Sequence, residues 1–82
     1  MEENKLNVQV PDNLKTGVYA NGATISVRDD DVVVDFGYML GGVNPPTMQV
    51  VSRVNMTHVS AERFASALQN ALLDHRNKRK GK

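Results

Sequence analysis

The sequence predicts an α+β fold in which an antiparallel sheet of about four strands is followed by one long C-terminal amphipathic helix. Up to about residue 56, apolar side chains recur at every second position, which is the period of a strand with one buried face. Clusters of turn residues separate these alternating runs. From Thr57 onward the apolar side chains recur every three or four residues, which is the period of a helix. Strands followed by a single helix are typical of the α+β class.

The first two predicted strands lie before residue 29. Residues 6–10, "LNVQV", alternate apolar and polar side chains, and Pro11 begins a turn after them. Residues 17–28, "GVYANGATISVR", continue the extended pattern and contain the turn signal Asn21-Gly22. This signal indicates either a tight hairpin or a bulge within one long bent strand.

The third and fourth predicted strands are residues 32–40, "VVVDFGYML", and residues 47–56, "TMQVVSRVNM". Asp29-Asp30-Asp31 forms the turn before the third strand, and the loop 41–46, "GGVNPP", separates the third from the fourth. Strict alternation places Val33 and Asp35 on one face of the third strand, and Val51 and Arg53 on one face of the fourth. If these strands are neighbours, Asp35 and Arg53 form a cross-strand ion pair. The alternative, which we favour less, places Arg53 at a subunit interface.

The predicted helix begins after Thr57 or Ser60, because either hydroxyl can cap the first turn. Its apolar stripe consists of Ala61, Phe64, Ala65, Leu68, Leu72 and His75. A helix of about 18 residues would be roughly 27 Å long, which is enough to cross one face of a small sheet. The opposite face keeps the apolar Val33 and Val51, so we expect it to bind a second copy or another partner.

The chain of 82 residues predicts a single domain. We expect residues 1–5 to be disordered, residues 6–75 to form the domain, and residues 76–82 to form a basic tail. Residues 1–75 carry five Lys or Arg and nine Asp or Glu, a net charge of −4, whereas residues 76–82 carry a net charge of +5. A domain this small has marginal stability as a monomer, and this one contains no cysteine that could form a stabilising disulfide. We therefore expect it to be stabilised by self-association into a homodimer or homotetramer.

The composition and the N-terminal sequence predict a soluble cytoplasmic protein. The absence of cysteine excludes disulfides and thiolate metal sites. No apolar run approaches the roughly 18 residues that would span a membrane. The start of the sequence, "MEENKLNVQV", is acidic and polar, unlike a secretory signal peptide.

No stretch of the sequence predicts a catalytic, metal or cofactor site. Asp35-Phe36-Gly37 matches the magnesium-binding triplet of protein kinases, but the phosphate loop, strand lysine and catalytic aspartate that a kinase needs are missing. Asp29-Asp30-Asp31 lacks the alternate ligand spacing of a calcium loop. His58 and His75 lie near opposite ends of the helix, too far apart to bind one metal ion together. We therefore do not expect an enzyme.

The basic tail is the alternative to protein binding. Its cations could contact nucleic-acid phosphates with weak, salt-sensitive affinity; they are Arg76, Lys78, Arg79, Lys80 and Lys82. The competing interpretation is a frayed, solvated helix end that keeps the protein soluble. The sequence has four aromatic residues and no evident stacking platform for bases.

Four short motifs carry a family resemblance. "YAN" at residues 19–21, "VDFG" at 34–37, "VSRVNM" at 51–56 and the helical "AERFASALQNAL" at 61–72 resemble a family of short uncharacterised prokaryotic proteins. The resemblance implies the same strands and C-terminal helix, but it implies no activity. The order of strands before a long helix is also similar to the SecB-type export chaperone fold, which implies a chaperone-like oligomer.

These observations together predict a non-enzymatic, homo-oligomeric binding or accessory protein, similar to a chaperone or adaptor. A protein or peptide partner would contact Val33, Val51 and Arg53, close to the loop 41–46. The alternatives are a nucleic-acid-associated protein that uses the basic tail, or a small-ligand-binding oligomer of viral origin.

Overall fold

The computed structural model describes residues 6–80 and consists of a three-stranded antiparallel sheet followed by one helix. After a short 3-10 turn at Asp12–Leu14 come strands β1 (Gly22–Val27), β2 (Val32–Leu40) and β3 (Thr47–Met56), and then helix α1 (His58–Lys80). The strand order is β1-β2-β3, with β2 in the centre. The α+β class is therefore confirmed, with three strands instead of about four. The predicted disorder of residues 1–5 lies outside the described residues.

The predicted first strand is wrong. Residues 6–10 have no strand partner, and Leu6, Val8 and Val10 are exposed. An alternating pattern gives a strand only when a neighbouring strand accepts its hydrogen bonds, and neither edge of the described sheet pairs with this segment. The segment is therefore extended and unpaired, although its sequence has the period of a strand.

The Asn21-Gly22 signal marks neither a hairpin nor a bulge but the start of β1 at Gly22. The backbone N–H of Asn21 donates to the carbonyl oxygen of Gly37 at 3.0 Å. Its side-chain Oδ1 accepts a hydrogen bond from the backbone N–H of Met39 at 2.9 Å. Asn21 therefore ties the beginning of β1 to β2.

The register of β3 on β2 shifts by one residue near the middle of the strands. Phe36 pairs with Ser52, but Gly37 pairs with Val50, so Val51 has no partner on β2. Strict alternation along β3 would place Val50 and Ser52 on the same face of the sheet. Because of the shift, they lie on opposite faces. A β-carbon on Gly37 would lie 2.7 Å from the carbonyl oxygen of Gln49, so this position requires glycine.

Helix α1 begins as the sequence predicts but is longer than expected. Thr57 is the N-cap, since its Oγ1 accepts a hydrogen bond from the backbone N–H of Ser60 at 3.0 Å. The helix has 23 residues and runs to Lys80, so residues 76–80 of the predicted tail are helical. Arginine and lysine are good helix formers, and cations at a helix C-terminus complement its dipole.

The helix does not close over the sheet as expected. Among the described residues, the buried apolar side chains are those of Val32, Val33 and Val34, whereas the helical Phe64 and Leu68 keep 44% and 47% of their surface exposed. The whole chain exposes 7351 Å², whereas a compact monomer of its mass would expose about 4,900 Å². Its radius of gyration is 16.4 Å, against about 12 Å for a compact chain of this length. The single chain thus leaves much of its apolar surface uncovered.

Candidate interaction surface

An open groove of about 610 Å³ lies between helix α1 and one face of the sheet. We call it the apolar groove. Five sheet residues line one wall: Ile25, Val27, Val32, Val34 and Met56. The helix lines the other wall with the apolar Ala61, Phe64, Ala65, Leu68 and Leu72 and with the polar His58, Glu62 and Gln69. Because a surface this apolar is unfavourable in water, the groove is the strongest candidate for an interaction site.

One end of the groove is fixed where α1 begins. The Nε2 of His58 donates a hydrogen bond to the carbonyl oxygen of Arg28 at 2.6 Å. This contact holds the first turn of the helix against the β1–β2 turn. The turn itself is closed by Arg28, whose backbone N–H donates to the carbonyl oxygen of Asp31 at 2.8 Å. Asp29 and Asp30, at the tip of the turn, are exposed.

The other end of the groove carries positive charge. Leu72, His75, Arg76 and Arg79 line a shallow depression of about 460 Å³. These positions follow the helical spacing of three and four residues, so the basic end continues the apolar stripe on the same side of α1. Two of the predicted nucleic-acid contacts, Arg76 and Arg79, are therefore on the stripe. Lys78 is exposed and does not line the depression, while Lys82 lies outside the described residues.

The structure does not bring the three predicted partner-binding residues into one surface. Val33 keeps only 4% of its surface exposed, so it belongs to the buried centre of the sheet and offers little area to a partner. Val51 is exposed at the register shift, where it lines a recess of about 230 Å³ with Leu14 and Val18. Arg53 is exposed on β3. Partner binding by Val51 and Arg53 stays a prediction.

Asp35 and Arg53 form the predicted cross-strand ion pair. The two residues are directly opposite in the register. The Arg53 guanidinium donates two hydrogen bonds to the carboxylate, Nε to Oδ1 at 2.7 Å and Nη2 to Oδ2 at 2.9 Å. These hydrogen bonds, with a smaller contribution from the arginine charge, hold the pKa of Asp35 below its ordinary value although partial burial opposes the shift. The same hydrogen bonds raise the pKa of Arg53.

The Asp-Phe-Gly triplet lies within β2, as the interpretation of a structural strand requires. Between residues 6 and 80, no three or more His, Cys, Asp or Glu side chains are grouped so that they could hold a metal ion. The described helical residues also include no segment with both the length and the hydropathy of a membrane span.

No pattern in the sequence indicates the apolar groove. The pattern shows which side of a helix is apolar but not how closely that side packs on the sheet. The extension of the stripe into the basic end did have a signal, because the three- and four-residue spacing of Leu72, His75, Arg76 and Arg79 is visible in the sequence. The predicted stripe already includes Leu72 and His75 but stops there, because residues 76–82 were predicted to form a separate basic tail.

Comparison with known proteins identifies a family but no activity. No curated protein and no solved structure matches the chain significantly, so the topological likeness to the SecB-type fold has no support. The sequence model of one family, described as a protein of unknown function, matches residues 1–81. The resemblance to a family of short uncharacterised proteins is thereby confirmed. The chain belongs to this family of proteins of unknown function, DUF3467.

Proposed function

We propose that the protein is a non-enzymatic accessory protein that works as a homo-oligomer and engages a protein or peptide partner. The observation that carries the proposal is the apolar groove, because the single chain leaves Ile25, Val27 and Phe64 of its mostly apolar lining in contact with water. Leu68 and Leu72 are about half exposed at its helical wall. Apolar side chains at helical spacing normally pack against another surface.

The amount of exposed surface supports self-association. The chain exposes about 2,500 Å² more than a compact monomer of its mass. A standard interface buries about 800 Å² on each partner, and obligate dimers bury more. Burial of about a third of this excess on each copy would therefore give an interface of ordinary size.

The outer edge of β3 supports engagement of a peptide. β3 is an edge strand of the described sheet, so half of its backbone hydrogen-bonding groups face away from β2. An extended peptide can add to such an edge as a further strand. Val51 and Arg53 lie on this strand, and the recess beside Val51 offers a pocket for an apolar side chain.

The proposal assigns no catalytic step to Asp35, the carboxylate inside the sheet. Its two oxygens already accept hydrogen bonds from Arg53. A carboxylate held in its charged form by an arginine is a poor general base near neutral pH, because its pKa lies far below the operating pH. The pair is better suited to fixing the register of β2 and β3.

Native mass spectrometry of the full chain, sprayed gently from low-salt solution over a dilution series, tests the oligomer. We expect particles of two or four chains that persist at the lowest protein concentration. A particle of one chain at every concentration would contradict the proposal. Sedimentation equilibrium in solution is the matched control for dissociation in the gas phase.

A display screen of random peptides against the immobilised oligomer tests the binding surface. We expect the enriched peptides to be extended and to alternate apolar and polar side chains, as a strand does. Val51→Asp should abolish their binding, whereas Val43→Asp, a matched change in the exposed loop, should leave it intact. Enriched peptides that bind both variants equally would place the site elsewhere.

Nucleic-acid binding is the second candidate function, and the alignment of Arg76 and Arg79 on one side of α1 favours it. Phosphate contacts release counterions, so affinity for an oligonucleotide should fall steeply between about 50 and 200 mM salt. Deletion of residues 76–82 should abolish this binding. Undetectable binding at about 50 mM salt would exclude this candidate.

A further inference from the structure

Opposite charges mark the two ends of the apolar groove. Where α1 begins, His58 holds the helix against the β1–β2 turn, and Asp29 and Asp30 are exposed at the tip of that turn. At the other end, the side of the helix that forms the groove presents His75, Arg76 and Arg79. The ends of one continuous apolar surface are therefore acidic and basic.

These charges cannot neutralise one another within a chain. Arg79 follows His58 by 21 residues, which corresponds to about 32 Å along the helix axis. Charges that far apart are screened at physiological salt, where the Debye length is about 8 Å. The basic end of the stripe is thus available for an anionic surface outside its own chain.

Of the two side-by-side orientations of paired helices, one lets a second copy supply that surface. Two identical helices that pair about a two-fold axis lie either parallel or antiparallel. Parallel helices would bring the two basic ends together, and like charges oppose this arrangement. Antiparallel helices bring each basic end close to the partner's acidic turn, while the apolar residues between Ala61 and Leu72 meet along the middle.

We propose that the apolar groove is occupied by helix α1 of a second copy in antiparallel orientation, with its Arg76 and Arg79 against the acidic Asp29–Asp30 turn. The surface area and the charge complementarity support the same occupant. The inference rests on the homo-oligomer of the proposed function, to which it adds the orientation and the contacts. It also gives the charge asymmetry of the sequence a role in assembly.

Two single charge reversals at neighbouring positions test the orientation. Arg79→Glu changes a residue on the stripe, and Lys78→Glu makes the same charge change beside it. We expect Arg79→Glu to raise the dimer dissociation constant about tenfold at low salt, because each dimer contains the contact twice and reversal makes it repulsive. Lys78→Glu should change the constant by less than about twofold. Sedimentation equilibrium of the full chain measures both constants.

Exchanging the charges of the acidic turn and the basic end distinguishes a specific contact between them from general destabilisation of the dimer. Asp29→Lys with Asp30→Lys should weaken the dimer, as should Arg76→Glu with Arg79→Glu. All four substitutions in one chain should restore the dissociation constant to within about threefold of the wild type, because attraction returns with exchanged signs. Failure of the swap to restore association, with circular dichroism showing an intact helix, would overturn the inference.

The remaining outcomes separate this inference from the proposed function. A wild-type chain that is monomeric at all concentrations overturns both. A dimer that responds equally to Arg79→Glu and Lys78→Glu overturns the orientation and leaves the homo-oligomer standing. If Arg79→Glu spares the dimer but abolishes binding of a fluorescent single-stranded oligonucleotide, the basic end binds nucleic acid and the inference is wrong.

Discussion

Strand β2 and helix α1 both carry apolar side chains in a regular pattern, but only the strand buries such side chains within the chain. Val32, Val33 and Val34 of β2 keep 4–5% of their surface exposed, whereas Leu68 and Leu72 of α1 keep about half. The strand has β1 and β3 as neighbours within the chain. The helix faces the sheet across an open groove. This chain therefore completes the core around β2 but does not supply the surface that covers α1.

This difference predicts which parts of the protein depend on assembly. A helix gains most of its stability from packing of its apolar side. If a second copy provides that packing, the stability of α1 depends on protein concentration, because association stabilises the folded state by mass action. The hydrogen bonds and packing around β2 lie within one chain and do not require a partner.

Removing two methyl groups from the centre of β2 should have the largest effect on stability within the sheet. Val34→Ala should lower the free energy of unfolding by about 1.5–3 kcal/mol, because the buried side chain loses its contacts and leaves a cavity. Val43→Ala, in the exposed loop, should change it by less than about 0.5 kcal/mol. Urea denaturation at one fixed protein concentration measures both. Equal losses would contradict a core centred on β2.

The close contact at Gly37 gives the next largest effect. In Gly37→Ala the new methyl group would meet Cγ of Met48 at 2.6 Å and the carbonyl oxygen of Gln49 at 2.7 Å. Overpacking of this kind costs about 1–3 kcal/mol. Gly41→Ala is the matched control, since nothing lies within 4 Å of its added methyl group. Thermal unfolding of both variants checks the expectation, and a neutral Gly37→Ala would show that β2 and β3 are less closely packed.

The Asp35–Arg53 pair should have the smallest effect, because the arginine is exposed and water screens the interaction. The ion pair can be detected through the pKa of Asp35. The hydrogen bonds from Arg53 lower the pKa of Asp35 in the folded protein, so the pair stabilises the fold above the ordinary carboxyl pKa. That contribution is lost as the pH falls through the lowered value.

Carbon-13 NMR titration of the Asp35 carboxyl group measures this shift. Arg53→Gln should return the pKa of Asp35 toward its ordinary value and reduce the loss of stability in acid. Arg28→Gln, which removes a positive charge in the β1–β2 turn, should leave the pKa of Asp35 unchanged. If both variants raised the pKa equally, the cause would be net charge and not the cross-strand hydrogen bonds.

The sequence predicts the elements that pair with other elements of the same chain. Alternation identified β2 and β3, and their adjacency placed Asp35 opposite Arg53. The same alternation failed at residues 6–10, because a strand also needs an edge to pair with. The register shift was hidden because Val50 and Val51 are both apolar, so either could have faced the core.

The helix was predicted in type and start but not in length or packing. No proline or glycine interrupts it before Gly81, and this signal favours the longer helix that the structure shows. The apolar stripe was predicted correctly. The groove was not, because the distance between helix and sheet depends on the whole assembly and not on the local pattern.

Comparison of Leu68→Asp with Leu73→Asp tests whether α1 is buried against a second copy. In the single chain these leucines are equally exposed, at 47% and 46%, but they point to different sides of α1, and only Leu68 lines the groove. Sedimentation equilibrium should show that Leu73→Asp remains dimeric and that Leu68→Asp becomes monomeric, because its charge would be buried without a partner in the interface. Equal behaviour of the two variants, or a monomeric wild type, would contradict the burial of α1 against a second copy.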